Sequence, residues 1–101
     1  MGDRIGLMVM DKDGWDDCSV VIHSHWMGRG LLKLAQRFMK EMKDNKEFMD
    51  DDAKSPSRII ACFMMWIGKN EIENDITIED NDDDCEDNGI FIMNFKDMVI
   101  E

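Results

Sequence analysis

The residues best suited to chemistry are a pair of histidines, His23 and His25, separated by Ser24. In a strand, residues two apart point the same way, so both imidazoles would project from one face, ~7 Å apart along the chain. Two neutral imidazoles so placed supply nitrogen donors for a shared transition metal, with a third or fourth ligand from elsewhere. His23 and His25 are therefore the candidate metal ligands, against the plain alternative of two half-exposed strand histidines beside Trp26. Ser24 cannot pair with either as nucleophile and base, because neighbours in a strand face opposite ways. No glycine-rich phosphate loop, nucleophile elbow or Cys–His signature is present, so no catalytic residue is assigned and no cofactor is expected.

A second acidic constellation, Glu79 to Asp87, holds eight Asp, Glu or Asn residues in nine positions. Asp80, Asp82 and Asp84 alternate as calcium ligands do. Yet Cys85 stands where the loop needs glycine, and Phe91 where it needs a bidentate Glu. Asp11-Lys12-Asp13-Gly14 also lacks the closing carboxylate. Both read as solvated turns or loops. The eleven methionines read as adaptable core filler on helical faces, at Met39, Met42, Met64 and Met65. Trp15, Trp26 and Trp66 read as packing residues.

Charge narrows the partners. The 101-residue chain carries 23 carboxylates against 12 Lys and Arg, for a net charge of −11. Such a chain is repelled by nucleic acid and by anionic membranes, which leaves a protein as the expected partner. An edge-strand homodimer is compatible with the exposed sheet edges. Three scattered cysteines form neither a disulfide framework nor a zinc knuckle, and point to a reducing cytoplasm. Cys18 and Cys62 read as small buried hydrophobes, and Cys85 as an exposed thiol. The longest apolar run, Ile59 to Ile67, is far shorter than the ~20 residues a membrane span needs.

The elements that must position these residues fit one domain spanning residues 1–101. Residues 4–10 form a first strand, Asp11 to Gly14 a turn, and Ser19 to Trp26 a second strand that pairs with the first as a hairpin. Gly28-Arg29-Gly30 breaks that strand. Leu31, Leu34, Ala35, Phe38 and Met42 then recur at helical spacing, with Lys33, Arg37, Lys40 and Lys43 on the opposite side. Asp44 to Lys54 is a polar connection. Ser55-Pro56 caps a second helix, apolar all round from Arg58 to Ile67 and closed by Gly68 as a left-handed cap. Ile76 to Ile78, Ile90 to Phe95 and Met98 to Ile100 are strands, and Asn88-Gly89 is a tight-turn dipeptide. The expected fold is α+β: an antiparallel sheet of four to five strands, in the order ββααβββ, with two helices on one face.

Met1-Gly2-Asp3-Arg4, His25-Trp26 with Gly28, and Arg58-Ile59-Ile60 occur here in that order. Together they resemble a group of small uncharacterised proteins associated with phages and prophages. That group has no established activity. The resemblance implies that His25, Trp26, Gly28 and Arg58 form a structural or binding cluster, with Gly28 as a tight entry into the helix. It also implies that His23, at a position more often aromatic in the group, is peculiar to this chain, which weighs against the metal pair. The leading expectation is a non-enzymatic, acidic accessory or protein-interaction domain, with a DNA mimic as a special form. The alternative is a metal-binding protein or metal-dependent enzyme using His23 and His25.

Overall fold

A computed structural model describes residues 2–11, 13–14, 21–49, 55–79 and 87–101. The elements are β1 (Ile5–Met10), β2 (Val21–Ser24), α1 (Gly30–Lys43), α2 (Lys46–Met49), α3 (Pro56–Lys69), β3 (Ile76–Glu79), β4 (Ile90–Asn94) and β5 (Val99–Ile100). The class is α+β. Trp15, Cys18, the Asp50–Asp52 run and most of the acidic segment, Cys85 included, lie outside the described residues.

The five strands form one sheet in the spatial order β3-β2-β1-β4-β5. This corrects the expectation of an antiparallel sheet, because β1 pairs with β4 in parallel while the other three pairings are antiparallel. Asn88 and Gly89 explain the difference. Instead of closing a hairpin, they dock on the start of β1: the Asn88 N–H donates to the Arg4 carbonyl, and the Gly6 N–H donates to the Gly89 carbonyl. Strand β4 therefore sets off alongside β1 in the same direction. Strands β3 and β4, consecutive in sequence, end up on opposite sides of the β1–β2 pair.

Alternation in β1 sorts the two faces. Ile5, Leu7 and Val9 are fully buried, and the residues opposite them (Ile22 for Leu7, Met93 for Val9) are buried with them. This face meets the buried side chains of α1 and α3 in one core. The amphipathic reading of α1 holds, with Leu31, Leu34, Ala35, Phe38 and Met39 inside and Lys33, Arg37, Lys40 and Lys43 exposed. Phe38 is the hub of the helical layer, with Phe48, Phe63, Trp66 and Phe95 all 5.1–6.1 Å away between ring centroids.

The polar connection after α1 contains an unexpected short helix, so the chain order is ββαααβββ. The Asn45 side chain accepts from the Phe48 N–H, and that single turn drives Phe48 into the core. In α3 the Ser55 hydroxyl accepts from the Arg58 N–H, and Pro56 opens the helix as expected. The helix is not buried all round, however: Ile59, Ile60, Phe63, Trp66 and Ile67 face the core, whereas Met65 is 66% exposed. Its end also differs. The helix runs through Gly68 to Lys69, and the left-handed residue is Glu71, at φ 53°. The Ile72 N–H donates to the Ile67 carbonyl and the Glu71 N–H to the Gly68 carbonyl, the paired bonds of a Schellman closure. No helix among the described residues is long and apolar enough to cross a membrane.

Two stability measurements follow. Phe38→Ala should lower the unfolding free energy by about 3–5 kcal/mol, because it removes the shared neighbour of four aromatic rings. Glu71→Gly should raise it by about 1 kcal/mol, since a left-handed backbone costs a non-glycine residue roughly that much. Both are read by denaturant titration.

Candidate functional site

The resemblance-bearing segments at the chain start and after β2 converge at one end of the sheet, tied by backbone hydrogen bonds. The Asp3 N–H donates to the His25 carbonyl at 2.7 Å, and the Gly28 N–H donates to the Asp3 carbonyl at 2.8 Å. This crossing is so tight that a Cβ on Gly2 would collide with the His25 carbonyl, and one on Gly28 with the Asp3 carboxylate. Gly28 also has φ +54°, a conformation that side chains disfavour. Both glycines are thus required by close approach of backbone to backbone or side chain. Gly28 does lead the chain tightly into α1, where the Arg29 guanidinium lies over the Phe91 ring.

A residue that sequence reasoning passed over holds the turn from the other side. The Asp75 carboxylate, just before β3, accepts from the Ser24 hydroxyl and from the backbone N–H groups of His25 and Trp26, at 3.1 and 2.9 Å. Ser24 in turn accepts from the Met27 N–H at 3.0 Å. Three donors on one carboxylate end β2 at Ser24, because the N–H groups that would continue the ladder are taken. Partial burial acts to raise the Asp75 pKa, but the bonds from Ser24, Trp26 and His25 together prevail and hold it below the ordinary carboxylate value. Its only sequence signal is an Asp immediately before a strand, which is too common to single out.

On the third side, Asn88 donates through its amide to the Asp3 carboxylate and to the Arg4 carbonyl. Asp87 accepts from the Arg4 backbone N–H and from its guanidinium at 3.2 Å, bonds that lower the Asp87 pKa. The N-terminal segment is therefore held between the β2–α1 turn and the start of β4.

The histidines do not share a strand face. His23 is in β2, 8% exposed, opposite Gly6 and Thr77 on the face away from the helices, with its Nδ1 3.4 Å from the Thr77 hydroxyl. His25 lies past the strand end, exposed, with its ring edge-on to Trp26 at 4.7 Å. The two-residue alternation that would align them stops at Ser24. Among the described residues, no three His, Cys, Asp or Glu side chains gather as metal ligands would. Trp26 is not a packing residue: it is 63% exposed. Arg58 sits apart from this end, on the first turn of α3, at the rim of a cavity with Phe48, Cys62, Met65 and Trp66. Cys62 is half-buried there rather than buried.

The chain matches no protein-family model, and no curated protein or solved structure matches it. The geometry at this end of the sheet is a hydrogen-bonded turn with His25 and Trp26 exposed on it.

Asp75→Ala should destabilise the protein by about 2 kcal/mol, the scale of lost hydrogen bonds to a charged acceptor. Because the folded pKa is lowered, the wild-type contribution is complete above the unfolded value of ~3.9 and disappears as the pH falls through the lowered one. The gap between wild type and variant should therefore be constant near neutrality and close below about pH 4, as thermal melts across pH would record.

Proposed function

We propose that this chain is a non-enzymatic interaction domain that docks on a basic surface of a protein partner, with Trp26 as its apolar anchor. The observation that supports this reading is the exposure of Trp26 on a turn fastened by hydrogen bonds on both sides. Its own N–H is bound by Asp75, and the neighbouring residues are bound by Asp3, Asp75 and Ser24. A large aromatic normally gains by burial, and tryptophan is enriched among the few residues that dominate binding energy. Holding its backbone rigid in advance removes part of the ordering cost of association.

The electrostatics favour a cationic partner. Asp3 and Asp87 are exposed at the same end, and the chain as a whole carries −11. Such a field draws in a basic surface over about a Debye length and speeds encounter. A DNA mimic is one form of this function, with carboxylates standing where phosphates would on a nucleic-acid-binding protein. The resemblance to phage- and prophage-associated proteins suits an accessory role of that kind.

The test compares capture of proteins from a cell lysate by immobilised wild type and Trp26→Ala, at increasing salt. Wild type should retain basic proteins that elute as salt rises. The variant should lose them at least about tenfold, the scale of a single hot-spot truncation. Equal capture by both proteins, or retention indifferent to salt, would refute the proposal.

A further inference from the structure

The two edges of the sheet differ in a way that makes them fit each other. At one edge, β3 lies between Glu71, Glu73 and Asp75 on one side and its own Glu79, a stretch of 71–79 with four carboxylates and no cation. Ile78, in β3, is 44% exposed although it pairs with the fully buried Ile22. At the other edge, a groove of about 400 Å³ runs between β5 and α1. Met39, Met98 and Ile100 give it an apolar floor, and Lys40 and Lys43 a basic wall. Ile100 pairs with Met93, so it too lies on the helix-bearing face.

Strand direction completes the match. β3 is antiparallel to β2, which is antiparallel to β1, while β5 is antiparallel to β4, which is parallel to β1. β3 and β5 therefore run in opposite directions. A second copy shifted sideways along the sheet would lay its β3 antiparallel against β5, with the helices of both copies on the same side. Ile78 of the second copy would then fall over Met39, Met98 and Ile100, and its acidic 71–79 segment would lie along the edge that carries Lys40 and Lys43.

We propose that the β5–α1 groove receives the β3 strand of a second copy of this chain, extending the sheet head to tail. The contact joins unlike surfaces, so each added copy presents a new groove and assembly does not stop at a dimer. Self-pairing of two β3 edges is disfavoured by their shared negative charge, a common protection of edge strands. The partner surface is the opposite edge, and the variants that test it leave Trp26 and Asp75 unchanged, so the two readings stand or fall separately.

Sedimentation velocity of the full chain at about 0.15 M ionic strength tests this, with long-range repulsion screened beyond ~8 Å. The mean mass should rise with concentration from the 11.8 kDa monomer through dimer to larger species. Ile78→Lys blocks the strand and Lys40→Glu with Lys43→Glu reverses the groove wall, and circular dichroism verifies that each still folds. Ile78→Asn replaces the first variant if it does not. Each variant alone should associate at least about tenfold more weakly than wild type. An equimolar mixture should form a one-to-one dimer, because one intact groove then meets one intact strand. A wild type that stays monomeric up to about 1 mM, variants that associate as wild type does, or a mixture that fails to dimerise would each overturn the proposal.

Discussion

Strand β1 is paired along both edges, and the way the chain on either side of it is tied determines where every other element lies. On one side Ile5 to Leu7 pair with β2, and on the other Gly6 to Met10 pair with β4. Just before the strand, the Asp3 and Arg4 backbones are bound to His25, Gly28 and Asn88. A central strand with neighbours on both edges and the core on one face contributes most where it is apolar, and Ile5, Leu7 and Val9 are fully buried. The helices close over that face, and the start of the strand is where turns from distant parts of the chain meet.

That meeting point carries the docking surface proposed for the chain. Its hydrogen bonds run mostly between backbone groups or from backbone to carboxylates, so they hold the path of the chain and leave side chains to project. Asp75 secures the turn from within the sheet and Asp3 from outside it. What projects is an exposed imidazole edge-on to an exposed indole. An exposed aromatic on a backbone held from both sides is what the proposed docking role rests on.

Much of this was legible in the residues. The periodicity of Leu31 to Met42 dictates the inner face of α1, since residues three and four apart share one side of a helix. Ser55-Pro56 dictates where α3 begins, because the cap and the ring act on the adjacent backbone alone. Gly28 belongs to the same class. Its identity signals a tight place, though the partner that makes it tight, Asp3, is twenty-five positions away. Other signals misled for the same reason. Gly68 had the composition of a left-handed cap, yet α3 continues until the Ile67 and Ile72 pair can close over the core, so Glu71 takes that conformation instead. Asn88-Gly89 had the composition of a hairpin turn and serves as a dock onto β1.

What the sequence determined by itself is therefore local: the kinds of element, their apolar faces, their caps and the sign of the exterior. Each depends on forces between residues a few positions apart, or on a sum over all charges that ignores arrangement. Strand direction, sheet order and the end of β2 were decided only in the tertiary structure. An alternating strand has the same pattern read in either direction, so nothing in Ile90 to Asn94 says whether β4 runs with β1 or against it. Likewise nothing near Ser24 announces that Asp75, fifty-one residues later, will take the N–H groups of His25 and Trp26 and thereby separate His25 from His23. Those outcomes depend on contacts between distant segments, which exist only once the chain has closed on itself.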